Sequence, residues 1–202
     1  MSEDKSICIF GASTIWGAYD GEKGGWGTRL QLYYNEELPE EEWAPVYVLG
    51  ISSETTRGLL TRFNNEARVR DPQILIFSLS KNDAAWLPAK NSHEVPMEEF
   101  AQNVKAILKN AKSFTDKILI LGDFPVDETR TTPAFWAPTY HYRNADIILY
   151  NEKMKEVATS EGVKVIELKD TITLEDLDDG LHPNARGHEK IFQLVRKEIT
   201  KL

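Results

Sequence analysis

Residues 74–83 read ILIFSLSKND, an apolar run that changes abruptly into polar, turn-forming residues. The near-continuous apolar part, Ile74–Leu79, is typical of a strand buried on both faces of a parallel sheet. Four other runs of this kind recur along the chain, at Ile7–Phe10, Val46–Leu49, Ile118–Leu121 and Val163–Ile166. The sequence therefore predicts a parallel sheet of five strands.

Segments with helical periodicity separate these runs. Apolar stripes with steps of three and four comprise Phe100, Val104, Ile107, Leu108 and Ala111, then Ile148, Leu149, Met154 and Val157, and finally Ile191, Val195 and Ile199. Weaker patterns cover Gly27–Leu38 and Thr56–Ala67. Because parallel strands need crossover helices, the alternation predicts a three-layer α/β/α sandwich, and right-handed crossovers favour a flavodoxin-like strand order.

The length and composition are typical of one globular domain. A chain of 202 residues buries roughly 70% of its unfolded surface when it folds. Hydrophobic residues make up 41% of the sequence and charged residues 28%, as in soluble proteins. The sequence shows no internal repeat and no linker rich in Pro, Gly or Ser. We therefore expect residues 1–202 to form a single domain.

The charge balance and cysteine content argue against several functions. With 24 Lys and Arg against 32 Asp and Glu, the net charge is −8, which disfavours nucleic acid as a partner because phosphate binding needs clustered cations. The single cysteine, Cys8, can form no intrachain disulfide and offers no thiolate cluster for zinc. No run approaches the ~20 apolar residues of a transmembrane helix. The polar start lacks a secretory signal, so we expect a reducing, cytoplasmic location.

The predicted topology places ligands at the carboxyl ends of the strands. The first strand ends in Gly11-Ala12-Ser13-Thr14, so Ser13 falls where a helix begins. Free N–H groups and the helix dipole at that position favour an alkoxide or oxyanion. Serine is equally a common helix cap. Ser13 is thus a candidate nucleophile with a plain structural alternative.

An aspartate and a histidine lie close together in DGLHPN, residues 179–184. Asp179 can accept a hydrogen bond from Nδ1 of His182, which would fix the tautomer and leave Nε2 free as a base. The alternative is an acidic loop with a solvated histidine.

Two further strand ends offer oxyanion donors. Asn82 follows the run Ile74–Leu79, and its side-chain amide can donate to a developing negative charge. The segment GISSETT, residues 50–56, offers backbone N–H groups. Ordinary turns and a helix cap explain both segments equally well.

In combination, these segments resemble the SGNH (GDSL-type) hydrolase family. The family's first, second, third and fifth blocks are similar to FGASTIWG (10–17), GISSETT (50–56), SKND (80–83) and DGLHPN (179–184). The fifth block is the most specific match. The blocks follow the family's order, and the resemblance, with its flavodoxin-like fold, extends over the full chain.

The resemblance implies a serine esterase or acylhydrolase that cleaves a small ester or thioester. In that family pattern Ser13 is the nucleophile, His182 the base, and Asp179 the residue that orients the base. The N–H groups of Ser13 and Ser53 and the Asn82 amide would form the oxyanion hole. This chemistry requires no metal and no organic cofactor.

The sequence departs from the family pattern at three positions. Ala12 stands where the family usually has Asp, and Ser53 and Ser80 stand where it usually has Gly. If the position of Ser53 needs a positive φ, its backbone is strained. Gly50, three residues earlier, is then the expected turn glycine.

Several aromatic residues follow the proposed blocks. Trp136 and Tyr140 lie on the long irregular stretch Phe124–Tyr142 and are candidates for binding substrate, with packing beneath the loop as the alternative. Trp16 and Trp26 are predicted to pack in the interior.

Two basic side chains are predicted to have structural rather than chemical roles. Lys81, next to Asn82, is predicted to be exposed. His188, near the apolar face of the last helix, is predicted to be packed.

Other functions remain open at this point. A carbohydrate O-deacetylase of the same family would use the same residues. A non-catalytic binding module is suggested by Ala12, Ser53 and Ser80. A flavin- or nucleotide-binding domain is disfavoured because no phosphate-binding glycine motif is present. No carboxylate pair of a glycosidase is singled out among the 32 acidic residues.

Overall fold

The computed structural model describes residues 6–202, so the first five residues of the predicted domain lie outside it. The strands are β1 (Ile7–Gly11), β2 (Val46–Gly50), β3 (Ile74–Ser78), β4 (Trp86–Leu87), β5 (Ser92–His93), β6 (Ile118–Leu121) and β7 (Lys164–Ile166). Five of them form a parallel sheet in the order β2-β1-β3-β6-β7. This is the predicted sheet, with a flavodoxin-like order.

Seven α-helices are described around this sheet. They are α1 (Ser13–Trp16), α2 (Trp26–Leu32), α3 (Thr56–Arg68), α4 (Met97–Ala111), α5 (Glu128–Thr131), α6 (Asn144–Ser160) and α7 (Ala185–Ile199). A π-helical turn at Tyr33–Glu37 extends α2, so the predicted segment Gly27–Leu38 is helical but not uniform. None of the described helices is long and apolar enough to cross a membrane.

Alternate residues of the strands form two cores, one on each face of the sheet. Phe10 and Phe77 point to the face that α3, α4 and α6 cover. Ile9 and Ile76 point to the opposite face, where α2 and α7 pack against each other. The predicted stripe Ile191, Val195 and Ile199 is buried in this second core. Burial on both sides explains why the three central strands, β1, β3 and β6, are continuously apolar.

The predicted apolar stripe of α6 is wrong only in its first half, since Met154 is fully buried and Val157 packs against the core as predicted. Ile148 and Leu149 are 62% and 55% exposed, and the helix instead buries Ile147 and Tyr150. Four consecutive apolar residues, 147–150, leave the helical phase undetermined from sequence. The structure fixes it partly through a polar contact, because the backbone N–H of Asp123 donates to Oδ1 of buried Asn151 at 2.9 Å.

The ends of β1 and β2 approach neighbouring backbone closely. A Cβ at Gly11 would lie 2.6 Å from the carbonyl oxygen of Ser78, and one at Gly50 would lie 2.7 Å from that of Ala12 and overlap the backbone nitrogen of Trp16. Gly50 does not have a positive φ, so it is not the predicted turn glycine. Its role is to let helix α1 lie against the end of the sheet.

Gly50→Ala is expected to push α1 away from the sheet, because the added methyl group has no space. Overpacking of this kind costs typically about 1–3 kcal/mol of the free energy of unfolding. Urea denaturation measures this loss. Gly21→Ala is the matched control, since a Cβ there meets no atom within 4 Å. Equal stability of the two variants would contradict this account of Gly50.

Candidate functional site

Ser13 is the first residue of α1, directly after the end of β1. Its side chain is largely buried, and its Oγ lies 2.8 Å from Nε2 of His182. These residues are 169 positions apart in the chain. The sheet brings them together because β1 ends at the edge where the loop before α7 passes.

His182 is held on its other side by Asp179. Oδ2 of Asp179 lies 2.7 Å from Nδ1, and Oδ1 accepts the backbone N–H groups of Leu181 and His182 at 2.9 and 2.8 Å. Burial acts to raise the pKa of Asp179, but these hydrogen bonds outweigh it and lower that pKa. An ionised Asp179 fixes the proton on Nδ1, so Nε2 is free to accept the Ser13 hydroxyl proton.

The loop that carries this pair is anchored by Asp176. Its fully buried carboxylate accepts hydrogen bonds from Nε of Arg186 and Nζ of Lys190, both at 2.7 Å, and from Thr173. Burial acts to raise the pKa of Asp176, but these donors together lower it to about 2. The anchor joins the loop to the first turns of α7 and so fixes the approach of Asp179 and His182.

The proposed oxyanion donors border the same opening. Among residues 6–202, the backbone N–H groups of Ser13 and Ser53 have no hydrogen-bond acceptor. Asn82 donates from Nδ2 to the carbonyl of Glu54 at 2.9 Å, and its Oδ1 accepts from the Tyr142 hydroxyl at 3.2 Å. Both contacts fix the side chain, and its second N–H is left free.

Two serines have left-handed backbones where the family usually has glycine. Ser53 has a φ of 63° and Ser80 a φ of 94°. Left-handed geometry costs a residue with a Cβ roughly 1–2 kcal/mol, so the expected strain at Ser53 is present. Ser80 is secured by its hydroxyl, which donates to buried Asp123.

Lys81 is not exposed as predicted. Its side chain is only 14% exposed, with Nζ 3.8 Å from Asp123 and 3.1 Å from the ring centroid of Phe124. Burial lowers the pKa of Lys81 to about 8. The sequence did not predict a role for Asp123, although this residue follows the end of β6 at the same edge of the sheet. Lys81 and Asp123 together form a buried polar pair next to Ser80 and Asn82.

Aromatic side chains surround the opening above Ser13. The cleft has a volume of about 370 Å³ and is lined by Trp136, Trp16 and Tyr19 beside Ser13 and His182. The rings of Tyr19 and Trp136 lie 5.1 and 5.7 Å from the His182 ring, centroid to centroid. Trp136 therefore lies in the wall of the cleft.

The structure tests the predicted burial of three further side chains, those of Trp16, Trp26 and His188. Trp16 is 63% exposed, so its predicted packing is wrong, whereas Trp26 is fully buried as predicted. His188 is fully buried, with Nδ1 accepting from the Trp26 backbone at 3.2 Å and Nε2 donating to Ala18 at 3.0 Å. His188 thus fixes the loop that presents Tyr19 to the cleft.

The residues gathered here are those that acyl transfer requires. They provide a hydroxyl, an oriented imidazole and free N–H groups around one opening. Within residues 6–202, no group of three or more His, Cys, Asp or Glu side chains is placed to hold a metal ion.

The chain is similar in sequence to known esterases. The profile of the GDSL-like lipase/acylhydrolase family matches residues 9–190. A GDSL esterase/lipase of Arabidopsis thaliana is 24% identical over 208 residues, covering 97% of this chain and 63% of the plant protein. The isoamyl acetate-hydrolyzing esterase 1 homolog of Homo sapiens is 24% identical over 214 residues, covering 97% and 83%. This chain therefore spans less than two thirds of the plant relative.

Solved structures show the same fold. LAE5, an alpha/beta hydrolase from the metagenome of Lake Arreo, Spain, has a TM-score of 0.75 at 19% identity, covering 98% of this chain and 95% of that one. Axe2, an acetylxylan esterase from Geobacillus stearothermophilus, has a TM-score of 0.74 at 16% identity with the same coverage. Its catalytic mutants replace a serine, an aspartate and a histidine by alanine. These likenesses confirm the predicted fold class.

Asp176→Asn is expected to lower the free energy of unfolding at pH 7 by about 1–3 kcal/mol, as for a lost hydrogen bond to a charged group. Because folding lowers the pKa of Asp176 from 3.8 to about 2, its contribution is complete above pH 4 and is lost as the pH falls towards 2. The melting temperatures of the parent and the variant should therefore converge over that range.

Asp178→Asn is the control for this experiment, since Asp178 is exposed two residues away. A constant difference between Asp176→Asn and the parent from pH 7 to 2 would contradict the assigned role of the Asp176 carboxylate.

Proposed function

The chain belongs to the GDSL-like lipase/acylhydrolase family, and we propose that it is a serine hydrolase that cleaves small acyl esters through an acyl-enzyme on Ser13. The observation that supports this most directly is the continuous contact from Ser13 Oγ to His182 Nε2 and from His182 Nδ1 to Asp179. A serine that only caps a helix has no need of an oriented imidazole at its hydroxyl.

In the first half of the reaction, Ser13 Oγ attacks the acyl carbonyl carbon while Nε2 of His182 accepts the hydroxyl proton. Asp179 stabilises the imidazolium that forms. When the bond to the leaving group breaks, the imidazolium donates that proton to the departing oxygen. An alcohol leaves, and the acyl group stays on Ser13.

The second half of the reaction consumes water. His182 takes a proton from the water molecule as it attacks the acyl-enzyme, and then returns a proton to Ser13 Oγ when the carboxylic acid is released. Both tetrahedral intermediates place negative charge on the former carbonyl oxygen. The N–H groups of Ser13 and Ser53 and the Asn82 amide are proposed to stabilise that charge.

A small acyl group fits the available space. The cleft of about 370 Å³ is near the lower limit of the range for small-molecule sites. The human relative is named for an acetate ester, which agrees with a short acyl chain. We therefore propose acetyl and other short acyl esters as substrates.

A carbohydrate O-deacetylase is the second candidate. Trp16 and Phe135 are each 63% exposed, and Trp136 and Tyr19 are partly exposed near them. Exposed aromatic faces of this kind suit an amphipathic ligand with an apolar side. Axe2, which shares the fold, is an acetylxylan esterase. Hydrolysis of p-nitrophenyl acetate and of acetylated xylo-oligosaccharides, compared by kcat/KM, distinguishes the two candidates.

Ser13→Ala is expected to lower kcat for p-nitrophenyl acetate by a factor on the order of 10⁴–10⁶, because the nucleophile is lost. Circular dichroism and thermal melting establish that the variant is folded, and Ser160→Ala, at an exposed serine, is the control. Equal turnover by Ser13→Ala and the parent would show that the nucleophile is another residue. Absence of turnover in the parent on every short ester would favour the binding module.

Asn82→Ala is expected to lower kcat by about 10²–10³, the usual cost of one oxyanion donor. KM should change much less, because the amide binds charge that develops in the transition state. The control is Asn65→Ala, at an exposed asparagine of α3. A folded Asn82→Ala variant with unchanged kcat would remove Asn82 from the site.

A further inference from the structure

A smaller recess adjoins the cleft on the side of the oxyanion donors. It has a volume of about 220 Å³, and Ser53, Asn82, Trp136 and Tyr142 line both spaces. Ser13 and His182 line the cleft but not the recess. A substrate that reaches into the recess therefore extends past the oxyanion donors and away from the imidazole.

Glu94 lies in the wall of this recess, and one of its carboxylate oxygens has no hydrogen-bond partner among residues 6–202. Its backbone is fixed, since the N–H donates to Ala85 at 2.8 Å and the carbonyl accepts from Arg57 at 2.9 Å. Oε2 of the carboxylate is shielded from solvent and has no hydrogen-bond partner in the described part of the chain. An unpaired, shielded carboxylate oxygen costs free energy, because it has lost its hydrogen bonds to water and has formed none within the protein.

The hydroxyl groups of the neighbouring Tyr142 and Tyr140 do not donate to Oε2 of Glu94. The Tyr142 hydroxyl donates to Asn82, so its proton is already used. The Tyr140 hydroxyl donates to Glu94, and burial together with this carboxylate raises the pKa of Tyr140. One phenol proton can satisfy at most one of the two carboxylate oxygens. An ionised carboxylate has about four lone-pair sites, so the partly exposed Glu94 side chain can still accept a hydrogen bond from a group in the recess.

The proposed mechanism determines which part of a substrate reaches Glu94. The leaving-group oxygen must lie at Nε2 of His182 to receive its proton, and the carbonyl oxygen must lie among the oxyanion donors. The acyl substituent is the remaining part, and one that extends past Ser53 and Asn82 leaves the cleft and enters the adjoining recess.

We propose that Glu94 is a specificity-determining residue that selects acyl groups bearing a hydrogen-bond donor, a hydroxyl or an ammonium group, over alkyl groups of equal size. This inference rests on the proposed acyl-enzyme mechanism and adds the chemistry of the acyl group to it. A carboxylate left unpaired by an alkyl chain is the physical basis of the selection.

The test compares p-nitrophenyl esters in matched pairs that differ by hydroxyl against methyl. The pairs are 2-hydroxypropionyl against 2-methylpropionyl and 3-hydroxybutyryl against 3-methylbutyryl, with 3-aminobutyryl as the cationic member. The parent is expected to show a kcat/KM ratio of about tenfold or more for the donor-bearing ester in at least one pair, as for one hydrogen bond to a charged group. Glu94→Leu is expected to bring that ratio to one or below.

Glu94→Gln separates the two kinds of donor. It retains an acceptor oxygen but loses the charge, so the preference for a hydroxyl should be largely kept and that for an ammonium group lost. The control is Glu98→Leu, at an exposed glutamate nearby in sequence, for which all ratios should equal those of the parent.

The inference and the mechanism fail in different ways. If the parent hydrolyses the esters in a Ser13-dependent manner but shows no donor preference, or if Glu94→Leu leaves the ratios unchanged, the role of Glu94 is wrong and the mechanism stands. If turnover is independent of Ser13 for both members of every pair, the acyl-enzyme mechanism is wrong and the inference falls with it.

Discussion

The end of strand β2 lies against the first turn of helix α1 with no space for a side chain at Gly50. This close approach holds a four-residue helix at the edge of the sheet, although so short a helix has little stability of its own. Ser13 is the first residue of that helix. The position of the hydroxyl beside His182 therefore depends on packing between backbones and not on a side-chain cap, since the residue that precedes the helix is Ala12.

The second feature of the site is backbone strain, which affects Ser53 and Ser80 beside the proposed oxyanion donors and Tyr19 in the wall of the cleft. Ser53 and Ser80 both have left-handed backbones at positions where the family usually has glycine. What the chain retains is the backbone N–H of Ser53 and the side-chain amide of Asn82. The hydrogen bond from Ser80 to Asp123 and the position of Lys81 beside Asp123 keep the turn beneath Asn82 in one conformation. Strain held by surrounding contacts is a common property of functional sites.

The sheet and the identity of the clustered residues could be predicted from sequence because both depend on local patterns. Five apolar runs define the strands, and parallel topology then requires their carboxyl ends to meet. The parts that sequence did not predict depend on distant partners. The phase of α6 is ambiguous over four apolar residues until Asn151 meets Asp123. Lys81 is withdrawn from solvent by Asp123 and Phe124, which are distant in the chain. Trp16 is exposed because α1 lies at the rim of the cleft, and no periodicity in so short a helix reveals its outer face.

The central claim is that Ser13 is activated by His182, and covalent trapping tests it most directly. The parent and a folded His182→Ala variant would be incubated with a fluorophosphonate probe, and the modified peptide identified by mass spectrometry. The account predicts a single adduct on Ser13 in the parent, with labelling slower by orders of magnitude in the variant. An adduct on a different residue, or labelling of Ser13 at equal rates in both proteins, would contradict it.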